Sequence, residues 1–266
     1  MSPAKDQEYF CEGMAEELIN AFTKVAGLRV ASRTSSFQFK GENLDIPSIG
    51  KQLGVSTVLE GSVRKEGNNL RITAQLINVA DDIHLWSEKY DREFKSVFAI
   101  QDEISQAIAN ALHIELMGEA GEPLIKSYTD NTEAYDAYLL GRYHWNKRRG
   151  QEKQTEVDLM AAMKYFKEAI TLDPNYALAY SGLADVYMTL PSRVTNVKLD
   201  DVKAQAEEAA KKALAIDPNL AEAHTSLGQT REVIHFDYKG AEREYRRAIE
   251  LNPKYAPVHN RYSCFL

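Results

Sequence analysis

The residues able to carry chemistry are few and scattered. Six histidines are present, His84, His113, His144, His224, His235 and His259. None shares with another the four-residue spacing that sets two imidazoles on one helix face for zinc. No cysteine or carboxylate cluster accompanies them, so they read as core or surface imidazoles and no metal is implied. Cys11 and Cys264 lie at opposite ends of the chain, which excludes a disulfide framework and an all-cysteine metal site and leaves both as small apolar residues. Phosphate-cradling glycine loops and a Gly-x-Ser-x-Gly elbow are absent. The carboxylate pairs Glu16-Glu17, Asp81-Asp82 and Asp102-Glu103 fall on helix surfaces or in a turn, where solvation accounts for them without acid/base work. No catalytic residue and no cofactor is assigned. The rival enzyme reading is an unrecognised site in the N-terminal part around Arg33, Ser35, Ser36, His84 and Trp86, although the two serines also suit loop hydroxyls that satisfy backbone groups.

With catalysis unsupported, binding is the remaining class. At 266 residues, 44% apolar and 27% charged, the chain has the make-up of one or two folded domains. Its formal net charge of −7 argues against nucleic-acid contact, which draws on unopposed Lys and Arg. The basic run Lys147-Arg148-Arg149 reads as the positively charged end of a helix. No stretch reaches the roughly 18 apolar residues of a membrane span, and Met1 to Glu8 is polar. The segment is expected to be soluble without membrane insertion, either cytoplasmic or the periplasmic part of a membrane-anchored parent.

The elements that must position any site change character near residue 118. Gly118-Glu119-Ala120-Gly121-Glu122-Pro123 would interrupt a helix, so the chain is divided into a domain at 1–118, a linker at 119–131 and a second domain at 132–266. In the first, Tyr9 to Val25 places Phe10, Met14, Leu18, Ile19 and Phe22 on one helical face, ending near Gly27. A short strand follows at Leu28 to Ser32, then a helix from Asp45 to Leu53 capped by Gly54. Thr57 to Lys65 and Leu70 to Val79 form a hairpin about Glu66-Gly67-Asn68-Asn69. His84 to Tyr90 extends the meander, and Val97 to Met117 is a helix with Ile100, Ile104, Ile108, Leu112 and Leu116 on one stripe. The predicted class is α/β, a mixed sheet with helices.

Five blocks carry a resemblance: Glu8-Tyr9-Phe10, Gly13-Met14-Ala15-Glu16-Glu17-Leu18, Arg33-Thr34-Ser35-Ser36-Phe37, Leu59-Glu60-Gly61-Ser62-Val63-Arg64 and Gln101-Asp102-Glu103-Ile104. Together, over about residues 6 to 117, they resemble the TolB-amino-terminal-like (FlgO-like) domain of bacteria. Members of that family open with an apolar strand that has no counterpart in Met1-Ser2-Pro3, so the resemblance implies a sheet lacking its first strand. Such a vacancy leaves backbone groups unpaired and invites dimerisation.

The second domain repeats. Ala162, Phe166, Ala169 and Pro174 recur at the same intervals as Ala206, Ala210, Ala213 and Pro218 and as Ala241, Tyr245, Ala248 and Pro253. Leu140-Gly141, Leu183-Ala184 and Leu227-Gly228 set a large residue beside a small one in each preceding helix. This is the tetratricopeptide pattern, and it predicts an all-α solenoid. The packing positions are Gly141, Ala162, Ala169, Ala184, Ala206, Ala213, Gly228, Ala241 and Ala248. Helix pairs are expected at 132–147 with 157–172, 176–190 with 200–216, and 220–234 with 239–251. A further first helix from Tyr255 would leave Tyr262, Phe265 and Leu266 uncapped, so the natural chain is expected to continue and this to be a fragment.

First helices of such a stack line a concave groove. The predicted lining is Tyr135, Tyr138, Arg142, Trp145 and Asn146, then Leu178, Ser181, Asp185 and Met188, then Glu222, Thr225, Gln229 and Glu232. Aromatic residues crowd one end and acids the other, which suits an extended peptide with apolar anchors and some basic character. An alternative is that Tyr135, Tyr138 and Trp145 pack against the linker or the first domain. The expected function is a non-catalytic scaffold or sensor segment that binds a protein or peptide. A self-assembly (dimerisation) module and the enzyme named above are the alternatives. The TolB-like resemblance adds a bacterial signalling setting, with an output such as a nucleotide cyclase or a winged-helix regulator elsewhere in the parent protein.

Overall fold

The computed structural model describes residues 8–23, 25, 28–42, 44–112, 127–148 and 152–266. The chain separates into two compact units, Met1–Ser127 and Tyr128–Leu266. The expectations placed on Gly27, His113, Leu116, Met117, Arg149 and most of the linker fall outside the described residues.

In the first unit, apolar residues at helical spacing form α1 (Glu8–Thr23), which buries Phe10, Met14, Leu18, Ala21 and Phe22. The short α2 (Arg33–Ser36) begins at Ser32, whose hydroxyl accepts the Ser35 N–H at 3.2 Å. In α3 (Ile46–Leu53) the Asp45 carboxylate caps the start by accepting the Ser48 N–H at 2.7 Å, and Gly54 closes the end at φ 65°. The sheet is β1 (Thr57–Glu66), β2 (Asn69–Asn78) and β3 (Ile83–Glu93), ordered β1-β2-β3. Between β1 and β2 the turn is Gly67-Asn68 with Gly67 at φ 60°, the left-handed backbone that a tight hairpin requires. Alternate residues of β2, Leu70, Ile72, Ala74 and Leu76, face the core. Against them α4 (Val97–Ala111) sets Val97, Ile100, Ile104 and Ile108, none more than 2% exposed, and α4 packs on β2, β3 and α1.

Two expectations are corrected here. Both strand pairings are antiparallel, so the described sheet is not mixed. The run Leu28–Ser32 is not a strand: its composition permits extension, but a strand needs a ladder partner and none of the described strands pairs with it. In addition, β3 runs on to Glu93, beyond the predicted Tyr90.

The second unit is all helix: α5 (Thr132–Lys147), α6 (Glu152–Leu172), α7 (Ala177–Arg193), α8 (Leu199–Ile216), α9 (Ala221–His235), α10 (Tyr238–Leu251) and α11 (Ala256–Phe265). Each pair α5/α6, α7/α8 and α9/α10 packs together and onto the next, the arrangement of a tetratricopeptide solenoid. The turn into each new repeat has one cause. Asp173 Oδ1 accepts the Asn175 N–H at 2.9 Å, Asp217 Oδ1 that of Asn219 at 3.0 Å and Asn252 Oδ1 that of Lys254 at 3.3 Å, each across the proline that stops the helix.

Helix contact depends on missing side chains. A Cβ on Gly141 would lie 2.7 Å from the Phe166 ring, and one on Gly228 2.7 Å from the Tyr245 ring. The alanines at 162, 169, 184, 206, 213, 241 and 248 are all 0% exposed. Gly182, which the spacing overlooked, is equally tight, with a Cβ there reaching 2.6 Å from Phe166 Cζ. Phe166 is therefore gripped by glycines of both α5 and α7.

Three loop and end expectations change. The helix expected at 157–172 already begins at Glu152. The helix expected to end at 190 continues through Pro191 to Arg193, Pro191 giving up the hydrogen bond that an N–H there would donate to the carbonyl four residues back. Of the apolar end residues, Tyr262 and Phe265 pack back on Tyr245, with ring centroids 6.1 and 5.7 Å away, and Leu266 is 85% exposed. Among the described residues no helix is long and apolar enough to cross a membrane.

Candidate peptide-binding face

The first helices of the repeats touch one another directly, α5 on α7, α7 on α9 and α9 on α11. Helices set side by side in this way form the inner wall of the stack, and the residues on that wall are the candidates for contact with a partner.

The structure sorts the predicted lining into two sets. Tyr135, Tyr138, Trp145, Ser181, Met188, Thr225 and Gln229 are buried. Tyr135 is 1% exposed, and Tyr138 packs its ring 5.9 Å from Phe166 and 5.0 Å from Tyr176, so Tyr138 packs within the repeat stack. Trp145 is covered by the Arg148 guanidinium, 3.5 Å above its ring. Thr225 turns its hydroxyl back to the Ala221 carbonyl at 2.8 Å. Arg142, Asn146, Leu178, Asp185, Glu222 and Glu232 are half-buried.

Polar side chains on this wall are brought together across helices. Ser226 donates to Asp185 Oδ1 at 2.7 Å, with Ser181 Oγ 3.1 Å from it. Protein surrounding Asp185 raises its carboxyl above the ordinary value; the Ser226 hydroxyl and the charges of Arg261, Arg142 and Arg148 work against that rise. Burial likewise pushes the Tyr255 hydroxyl well up, reinforced by the charges of Glu222 and Asp185. Glu232 accepts the Tyr245 hydroxyl at 2.7 Å. Charge alternates along the wall, with Arg142 on α5, Asp185 on α7, Glu222 and Glu232 on α9 and Arg261 on α11.

Sequence reasoning missed Ser226, Arg261 and Tyr255. The signal was available: Gly182, Ser226 and Arg261 each stand eight residues after a repeat-turn proline, a position at which Gly182 meets Phe166 and Ser226 meets Asp185 of the preceding repeat. A small residue there allows contact, and a polar one allows a bond across the stack.

Of the groups that could do chemistry, most are engaged in holding the fold. His224 sets Nδ1 2.7 Å from Glu244 and Nε2 2.9 Å from the Pro218 carbonyl. His259 lies 2.7 Å from the Pro253 carbonyl, His235 3.0 Å from Glu207 and His144 2.9 Å from the buried Asp158. Arg33 is paired with Glu12 at 2.8 Å and Glu16 at 3.3 Å and lies over Phe37. The Ser35 hydroxyl is 3.0 Å from that of Ser32, while His84 and Trp86 belong to β3. Among the described residues no group of three or more His, Cys, Asp or Glu side chains could hold a metal ion.

No family model matches the chain. A protein of Rhizobium meliloti (strain 1021) named "Putative adenylate cyclase 3" is 35% identical over 227 residues, 85% of this chain and 38% of that protein. The chain thus spans less than two fifths of that relative's length. Among solved structures, the first TPR domain of Spaghetti (RPAP3) bound to the HSP90 peptide SRMEEVD is 17% identical, with 53% of this chain and 95% of that chain covered and a TM-score of 0.39. The Arabidopsis OM64 TPR domain is 21% identical over 50% of this chain and 93% of its own, with a TM-score of 0.38. A thermophilic TPR protein of Thermus thermophilus is 21% identical over 50% of this chain and 63% of its own, with a TM-score of 0.39.

Proposed function

We propose that this chain is a non-catalytic protein-binding segment whose repeat stack holds an extended peptide along the inner wall. The observation that carries the reading is the row of half-buried polar side chains, Arg142, Asp185, Glu222 and Glu232, on first helices that pack side by side. Half-buried charges on a continuous wall select a ligand by charge order, because each is partly desolvated and loses more when it is mismatched than an exposed charge would. With arginine toward α5 and glutamates on α9, the fitting peptide carries its acidic residue toward the first repeat and its basic residue toward the third. Leu178 between them offers an apolar contact. The N-terminal unit is proposed to be of the TolB-amino-terminal-like kind, and the whole to serve the regulation of a longer bacterial signalling protein, with a nucleotide cyclase as the output that the Rhizobium meliloti relative's name suggests.

The test is fluorescence polarisation of the chain against a library of extended peptides in which acidic and basic positions are permuted. A defined acid-to-base order should be preferred, and Arg142→Glu combined with Glu222→Lys should reverse that order. Equal binding of permuted peptides, or a preference untouched by the double reversal, would sink the proposal. For the output, cyclic-nucleotide synthesis by the longer reading frame should change when the inner-wall residues are altered; a constant rate would remove the regulatory part of the reading.

A further inference from the structure

The outer strand of the sheet carries a charge pattern that the peptide-binding role does not use. Strand β3 is 11 residues long and exposed along its length apart from half-buried Trp86 and buried Tyr90. Among the described residues no strand pairs with its free edge. A long row of unpaired backbone N–H and C=O groups is a template for another strand, and proteins ordinarily guard such an edge with charge. Here the guard is selective. From Glu88 through Lys89, Tyr90 and Asp91 to Arg92, the charges run negative, positive, neutral, negative, positive. Read backwards, the same run has every sign inverted.

An antiparallel strand of the same sequence centred on Tyr90 therefore meets an opposite charge at each charged position. Lys89 faces the second copy's Asp91 on one side of the sheet, and Glu88 faces its Arg92 on the other, each contact made again by the twofold symmetry. Slipping the pairing by two residues sets Lys89 against its own counterpart, or Asp91 against its own. Opposite charges directly across a strand pair stabilise it and like charges directly across destabilise it. The edge thus repels most strands and most registers of itself but accepts one.

The charges concerned have capacity left for such a partner. Lys89 and Asp91 lie 3.1 Å apart and keep about half their side-chain surface, each 52% exposed, even with Arg71 2.5 Å from Asp91. Glu88 accepts the Tyr90 hydroxyl at 3.1 Å, and the Arg92 guanidinium reaches the Asp91 carbonyl at 3.1 Å. Across the ladder within the chain, Glu88 faces Ala74 and Arg92 faces Leu70, so neither has an opposite charge beside it on β2. We infer that β3 pairs antiparallel with β3 of a second copy of this chain about a twofold axis at Tyr90, joining two three-stranded sheets into one.

The experiment measures mass by light scattering and sedimentation on the full chain over a range of micromolar concentrations. The wild type should dimerise, more weakly as salt rises. Glu88→Arg and Arg92→Glu, each alone, place like charges across the axis and should weaken association roughly tenfold or more. Mixed in equal amounts, the two single variants should recover a dimer, because the arginine introduced at position 88 then faces the glutamate introduced at position 92. The double variant E88R/R92E should also dimerise. Circular dichroism melts confirm that each variant is folded. A monomeric wild type overturns the proposal, as does a dimer indifferent to E88R or a mixture that stays monomeric. None of these outcomes bears on peptide binding by the repeats.

Discussion

Glycine serves one end in the repeat stack and two in the sheet unit. In the repeat stack it makes room: at Gly141, Gly182 and Gly228 any side chain would run into an aromatic ring of a neighbouring helix. In the sheet unit, Gly54 and Gly67 have nothing within 4 Å of where a Cβ would sit, and both have positive φ. At those two turns glycine supplies a backbone conformation and no packing, whereas Gly50 and Gly61 of the same unit make room, a Cβ at each lying 2.4 Å from Val79 Cγ1 and from the Thr73 carbonyl oxygen. The core materials differ accordingly. The stack buries alanines around single rings such as Phe166 and Tyr245, whereas the sheet unit buries Leu70, Ile72, Ile100 and Ile104 across a sheet and a helix. A repeat unit achieves close packing by local, periodic smallness, and a sheet unit by large side chains that must find distant partners.

The largest expected effect strikes the ring at the centre of the stack. Phe166→Ala removes a side chain that is 0% exposed and held between two glycines, and it should cost about 3–5 kcal/mol in a urea titration followed by circular dichroism. A cost below about 1 kcal/mol would mean that neighbouring helices close the gap and that the ring does not organise the first repeats. The contrast between glycines is tested by asparagine, which tolerates left-handed backbone but not crowding. Gly228→Asn should destabilise by roughly 3 kcal/mol through overpacking against Tyr245, while Gly67→Asn should stay within about 0.5 kcal/mol. Similar losses at both positions would erase the distinction.

A smaller effect belongs to the bond across first helices. Ser226→Ala removes the donor to Asp185 and should cost about 1 kcal/mol, read as a lowered melting temperature. The smallest effect is a pH dependence. The folded-state carboxyl of Asp185 is raised, so ionising it opposes folding: the penalty is absent below the unfolded value, grows as pH rises through the folded value and is complete above it. Asp185→Asn should therefore match the wild type in acid and melt slightly higher near neutrality. A variant that melts lower than wild type at neutral pH would show that the arginines, and not burial, dominate this site.

Most of the stack was legible because its determinants are local. Asp173-Pro174-Asn175 and its two counterparts contain within a few residues both the helix stop and the side chain that turns the chain, and the alanine spacing reports which helix face meets its pair. The inner wall was legible only as a set of positions. Tyr135, Tyr138 and Trp145 have the residue types of peptide anchors, yet Tyr138 meets Phe166 and Tyr176 from helices far along the chain, and no local pattern tells a ring facing solvent from one facing the next helix. In the sheet unit the hairpin was readable from Gly67-Asn68 between alternating runs. The run Leu28–Ser32 shows the reverse: extended composition is a property of the segment, but being a strand is a property of a pair.

By itself, then, the amino-acid order determined that the repeats are paired helices, where the chain turns from one repeat into the next and which faces are small, since each depends on contacts within one or two helical turns. Tertiary structure alone decided that the described strands are all antiparallel, that Gly182 shares Phe166 with Gly141, that Ser226 reaches Asp185, and which of the groove residues keep a surface. Those outcomes depend on what arrives from elsewhere in the chain, and the free energy of burying or bonding a side chain is set by that partner as much as by the residue.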